Sequence, residues 1–287
     1  RNPTHTYTEA GTYTVKLTVI ETDGDADMCI KENCITVGET AVPTVTILSP
    51  TMENPIYTQS GETIQITIKY TEQNPLNGTI KIYNATYTVL EMTTTEIAAG
   101  TNVTQTIIVE IPVTALEGKY SLSVTLYNIY NLSSTDIEEN AVVIDNTPPI
   151  ISNPYQDPPG QIVEPGQVVE VNIGQNVTVR VNVTDLTSGI KQVILCYNVT
   201  ANEWRNITMQ HTEGNEYMTT VPLDALPVGA TVFYYIIAID NANNVARLPL
   251  NGVSFQFCVI PEFSTVAIIL VFIATTLLAS LKRKKYV

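Results

Sequence analysis

Apolar and polar residues alternate along most of this chain, in short runs set off by glycine and proline. After Gly11, the run Thr12-Tyr13-Thr14-Val15-Lys16-Leu17-Thr18-Val19 puts every second residue on an apolar side. Gly118 opens the same phase, with Tyr120, Leu122, Val124 and Leu126 in step. Gly229 opens a third version, in which Phe233, Tyr235, Ile237 and Ile239 share a face. A period of two marks a strand with one buried face, so each run predicts a strand. The second and third copies also agree upstream. Ile111-Pro112-Val113-Thr114-Ala115-Leu116 parallels Val221-Pro222-Leu223-Asp224-Ala225-Leu226, and the alternating run after Gly61 parallels the one after Gly174. Repeats near 100 residues are tandem domains, since solenoid units run about 20–50.

The pattern changes once, near the end. Ser264–Leu281 carries no charged side chain, and Lys282, Arg283, Lys284 and Lys285 follow directly. An apolar helix of about 20 residues spans a bilayer core of roughly 30 Å, and a basic cluster beside it stays on the cytoplasmic side. The expected organisation is therefore a partial first domain at 1–38, a second at 42–146, a third at 147–258 and a tail at 259–287. The expected class is all-β with one C-terminal transmembrane α-helix. Asp145-Asn146-Thr147-Pro148-Pro149 reads as a short, stiff joint, because proline fixes φ and favours extended chain before it. No leader precedes Arg1, so an exported chain of this kind is expected to continue upstream.

Composition supports the strand reading: 15 Tyr and an abundance of Thr, Val and Ile favour strands, while 16 Pro and 14 Gly favour turns. Net charge is −14; all 28 acidic residues precede Phe263, whereas four of the 14 cations lie at 282–285. The part ahead of the tail is thus more acidic than the whole, which argues against nucleic acid as a partner. Catalytic signatures are missing: there is no H-E-x-x-H, C-x-x-C, nucleophile elbow or phosphate-binding glycine loop. The chain is read as a non-enzyme.

Three sets of residues resemble known families. His5-Thr6-Tyr7-Thr8-Glu9-Ala10-Gly11-Thr12-Tyr13-Thr14-Val15, followed by Asp23-Gly24-Asp25-Ala26-Asp27, closely resembles the C-terminal half of a PKD domain. That resemblance implies a β-sandwich used as a spacer or adhesion module. Asp185-Leu186-Thr187-Ser188-Gly189-Ile190, Trp204, Val221-Pro222 and the stretch from Tyr234 to Asn244 resemble immunoglobulin-like modules of prokaryotic surface proteins. Asn243 stands where those modules commonly have glycine, and Asn tolerates positive φ. The tyrosine two residues after Gly11 and after Gly118 is similar to the tyrosine corner of such sandwiches. Together these imply a partial PKD domain and two immunoglobulin-like or fibronectin-like sandwiches. Pro261-Glu262-Phe263, the apolar stretch and the basic end resemble the PEF-CTERM class of archaeal sorting signals. That resemblance implies an archaeosortase-like processing enzyme as partner, with a plain single-pass anchor as the alternative.

An exported chain opens further candidates. Sequons occur at Asn77, Asn84, Asn102, Asn131, Asn176, Asn182, Asn198 and Asn206, each an acceptor for N-glycosylation. The four cysteines allow three pairings, of which Cys29–Cys34 with Cys196–Cys258 is the expected one. The first needs a turn at Lys31-Glu32-Asn33, since a straight strand would hold the two about 16 Å apart. Asp23, Asp25 and Asp27 could converge on calcium if their loop curls; a solvated turn is the plain alternative. Asp145-Asn146 and Asp240-Asn241 resemble calcium-bridged joints of extracellular repeats. No other cofactor is expected. Trp204 reads as strand packing before sugar platform, and Tyr83 with Tyr87, or Tyr127 with Tyr130, are places for an aromatic carbohydrate row. The functional expectation is a cell-surface ectodomain for adhesion, envelope structure or spacing, anchored through the membrane, with other surface proteins or glycans as partners. The alternative is the non-catalytic stalk of a larger surface hydrolase.

Overall fold

A computed structural model describes residues 4–7, 11–37, 41–199, 203–222, 226–250 and 252–262. Every regular element among them is a strand. The expected helix at 264–281 lies outside the described residues, and among those described no helix is long and apolar enough to cross a membrane. The chain divides into two compact units, one of Arg1–Ile56 with Ser60–Val143 and the other of Tyr57–Gln59 with Ile144–Val287.

The first unit begins with an antiparallel hairpin of β1 (Gly11–Ile20) and β2 (Ala26–Val37). Its register slips between Tyr13 and Val15. There Asn33 takes φ 48° and donates its N–H to Thr14 Oγ1 at 3.1 Å. Leu17, Val19, Met28 and Ile30 remain exposed on the hairpin.

The strands that follow in the chain are β3 (Thr44–Ser49), β4 (Ile56–Thr58), β5 (Thr63–Glu72), β6 (Pro75–Tyr83), β7 (Thr88–Thr94), β8 (Gly100–Glu110), β9 (Gly118–Asn128) and β10 (Ser133–Ile144). They form a sheet β3-β5-β8 and a sheet β4-β10-β9-β6-β7. The alternation read in the sequence becomes the core: Ile64, Ile66, Ile68 and Tyr70 are buried from β5, and Tyr120, Leu122, Val124 and Leu126 from β9. On the outer faces threonines pair across strands, Thr67 with Thr106 at 3.1 Å and Thr125 with Thr135 at 2.8 Å. Such pairs let a solvated face add to sheet stability.

Tyr120 makes the expected corner. Its hydroxyl donates to the Leu116 carbonyl at 2.9 Å, and its ring lies 3.6 Å from where a Cβ on Gly118 would sit. Tyr120→Phe keeps the ring and strands only that carbonyl. It is expected to lower the stability of this unit in urea unfolding by about 0.5–1.5 kcal/mol.

The second unit holds β11 (Ile150–Asp157), β12 (Gln161–Ile162), β13 (Val168–Asn172), β14 (Val177–Thr184), β15 (Ile190–Val199), β16 (Arg205–Thr208), β17 (Gln210–His211), β18 (Glu216–Val221), β19 (Thr231–Asp240), β20 (Val245–Leu248) and β21 (Phe255–Ile260). One sheet runs β12-β11-β14-β18-β17, the other β13-β21-β19-β15-β16 with β20 beside β19. Val177, Val179, Val181 and Val183 of β14 face Val193, Leu195, Tyr234, Ile236, Phe255 and Phe257 in one hydrophobic core. Phe233, Tyr235, Ile237 and Ile239 do share a face, but it is the outer, half-buried one; Val232, Tyr234, Ile236 and Ala238 point inward. Both faces of β19 are apolar, and on the outer one Trp204 and Arg247 lie against Tyr235. The Tyr234 hydroxyl donates across the core to Gln156 Oε1 at 3.0 Å.

Candidate metal centre

Three aspartates of the second unit meet at one point. Asp145 follows β10, Asp185 follows β14 and Asp240 closes β19. One carboxylate oxygen from each lies within 4.8 Å of the others. Asp145 and Asp240 are fully buried and Asp185 is half-buried.

Local turns hold these carboxylates by their backbones. Thr187, Ser188 and Gly189 donate their N–H groups to Asp185 Oδ1 at 3.2, 2.9 and 2.7 Å. All three converge on Oδ1, so Oδ2 is left over for another partner. The Ser188 N–H also reaches Asp145 Oδ2 at 3.1 Å, and Thr147 N–H reaches Asp145 Oδ1 at 3.0 Å. Asn244 ties the remaining pair: its N–H donates to Asp240 Oδ1 at 2.8 Å, and its Nδ2 donates to Asp240 Oδ2 and the Asp145 carbonyl, each at 2.9 Å. Asn243 sits at φ 67° in the same turn, so Asn does supply the positive φ there. Burial pushes the Asp240 carboxyl up. The two donors of Asn244 pull it down, and the charges of Asp145 and Asp185 push it up again.

The other sequence candidates are dispersed. Asp23, Asp25 and Asp27 are exposed in the β1–β2 turn. Asp23 and Asp27 accept local N–H groups, from Asp25 at 3.3 Å and Met28 at 2.8 Å. They fit the solvated turn and form no cluster. All four cysteines are free thiols, so the expected pairings do not form. Cys29 and Cys34 lie in the same strand, because Asn33 makes a bulge where a reversal was needed. Cys196 pairs with Tyr235 and Cys258 with Thr231, on opposite sides of β19 and offset along it. An intervening strand keeps two such cysteines well beyond the roughly 7 Å that a disulfide tolerates.

Among the sequons, Asn102, Asn131, Asn176 and Asn206 are exposed, and Asn77, Asn84 and Asn182 are half-buried. Asn182 lies in a shallow depression of about 630 Å³ with Tyr155, Asp157, Arg180 and Glu216. Asn198 is only 6 % exposed, because both faces of β15 are covered near its end. Trp204 stacks on Tyr235 at 4.8 Å, and Arg247 covers the same tyrosine at 3.9 Å; the tryptophan is strand packing on an outer face. Of Tyr83, Tyr87, Tyr127 and Tyr130, only Tyr130 is exposed, so neither pair forms an aromatic row. Pro261 and Glu262 are exposed after β21. Phe263 and Lys282, Arg283, Lys284 and Lys285 lie outside the described residues.

Residues 1–37 match the family described as PKD domain. No curated protein matches the chain. Among solved structures, the chain is similar to dimeric latent PorU from Porphyromonas gingivalis, at 13% identity and TM-score 0.28 over 83% of this chain and 26% of that one. It is similar to a tetra-tandem repeat in the extending region of a large adhesion protein, at 15% identity and TM-score 0.29 over 83% and 55%. The FN1–FN3 domains of chicken CNTN1 follow at 11% identity and TM-score 0.36 over 80% and 74%. The chain thus spans about a quarter of the first structure and about half of the second.

Proposed function

We propose that this chain is the non-catalytic part of a cell-surface protein, serving adhesion, envelope structure or spacing. The observation that carries this reading is the succession of a PKD-type segment and two β-sandwich units, each with its own apolar core. Modules of this kind close their cores without a cleft and present mainly outer sheet faces, a construction suited to spacing and contact. The acidic surface, the exposed sequons and the apolar tail with its basic end support an outside location. In this reading Pro261-Glu262-Phe263 marks the site where a sorting enzyme takes over the chain, and the exposed sequons carry glycans.

The test uses intact native cells. Surface-restricted biotinylation should label this chain without permeabilisation, and mass spectrometry should find its mature C-terminus near Pro261. Protection of the chain from the label overturns the surface reading. A mature C-terminus at Val287 rejects sorting and leaves a plain membrane anchor.

A further inference from the structure

We propose that Asp145, Asp185 and Asp240 bind one divalent cation of the calcium class, with the Ser188 hydroxyl as a further ligand. Two independent observations meet at this point. The first is the approach of three carboxylates within 4.8 Å, two of them fully buried. Like charges at that distance in a desolvated setting repel strongly, and buried carboxylates are ordinarily paired with a cation or neutralised. Among the described residues the side-chain ion pairs lie elsewhere, Lys81 with Glu91 and Arg180 with Glu216. Lys191, in the strand that follows the Asp185 loop, is committed to Asn243 Oδ1 at 2.6 Å.

The second observation is Ser188. The residue is 6 % exposed, and its hydroxyl oxygen is buried without a hydrogen-bond partner. A buried polar atom left over in this way calls for a water or an ion beside it. Its own N–H touches both Asp145 and Asp185, so covalent geometry keeps the hydroxyl within a few ångström of those carboxylates.

The donor set selects the ion. It holds only oxygen: three carboxylates and a hydroxyl, with no imidazole or thiolate among the clustered residues. Hard oxygen ligands suit calcium and magnesium over zinc or copper. Calcium takes 6–8 oxygens in flexible geometry, whereas magnesium demands a near-ideal octahedron and gives up water reluctantly. Here the carboxylates are fixed by backbone turns rather than by a designed octahedron, and Asp185, half-buried, leaves a side for water to complete the shell. Calcium is therefore preferred. A bound ion would join Asp145 to the ends of β14 and β19.

The test uses the full 287-residue chain in detergent, stripped with EGTA and then titrated with calcium chloride. Calorimetry should show about one site per chain, and calcium should raise the melting temperature by several degrees, as any ligand selective for the folded state does. Magnesium at equal concentration should raise it less. Asp185→Asn keeps an acceptor for the three N–H donors and should weaken calcium binding by about tenfold or more. A variant with Asp23, Asp25 and Asp27 all changed to Asn should respond as the parent does. An identical melting temperature in EGTA and in millimolar calcium overturns the proposal. So does a calcium response that survives in Asp185→Asn and disappears in the variant of the turn. Should Asp185→Asn fail to fold, the comparison of EGTA with calcium on the parent chain still decides.

Discussion

Replacing Phe257 by alanine is expected to destabilise the second unit by about 3–5 kcal/mol. Phe257 is completely buried, stands opposite Val232 on one side and Val169 on the other, and packs its ring 6.3 Å from that of Tyr234. Truncation removes most of the ring's transfer free energy and leaves a cavity, because the flanking strands are held in register by hydrogen bonds on both sides and cannot close over it. At roughly 2–4 °C per kcal/mol for a unit of this size, the melting transition should fall by about 10 °C. Phe257→Leu fills much of the same space and should cost about 1.5 kcal/mol or less. Differential scanning calorimetry of both variants checks the pair. Equal effects would mean that the residue stabilises through its backbone rather than through packing.

Asn244→Ala should cost about 2–4 kcal/mol, nearly as much, although it removes a small polar side chain. The side-chain amide serves two acceptors, the Asp145 carbonyl and Asp240 Oδ2, and both acceptor residues are fully buried. Without it a backbone carbonyl and one oxygen of a carboxylate are stranded away from water, and the penalty is set by their desolvation rather than by the bond lost. Asn243→Ala, one residue earlier, disturbs a positive-φ position and an exposed bond from Lys191 and should cost about 1 kcal/mol. Urea unfolding in EGTA measures both without any contribution from a bound cation. A smaller loss for Asn244→Ala than for Asn243→Ala would show that the turn, and not the amide, joins Asp145 to Asp240.

The sequence was legible where one face of a strand differs from the other. β14 alternates Val177, Val179, Val181 and Val183 with polar residues, and the valines are the ones inside. Tyr120 could be placed at a corner because glycine, tyrosine and alternation occur together over a few residues. β19 was harder: with Phe233, Tyr234, Tyr235, Ile236 and Ile237 in succession, period alone cannot say which face is inner, and the answer depends on what lies beyond the sheet. Cysteine pairing failed for a related reason. Whether Cys196 can reach Cys258 depends on strand order, and β19 stands between their strands. The carboxylate centre was half visible, since Asp145 and Asp240 stood out as end-of-domain residues. The compact D-x-D-x-D run of the first turn was the more conspicuous feature, yet its side chains spread into solvent. Asp185 is joined to the other two only by the fold, and nothing in its local sequence announces that.

The pairing of β21 has a mechanical consequence. Its residues Gln256–Ile260 run parallel to Val168–Asn172 of β13, while Phe255–Cys258 pair with Thr231–Tyr234 of β19. Tension applied to the chain just beyond Ile260 acts along the strand, at right angles to the hydrogen bonds on both of its flanks. Rungs loaded in this direction share the pull and must yield together, whereas a strand peeled sideways gives up one rung at a time. The second unit therefore ends in a shear joint, and a load arriving from its C-terminal side meets resistance first in that strand.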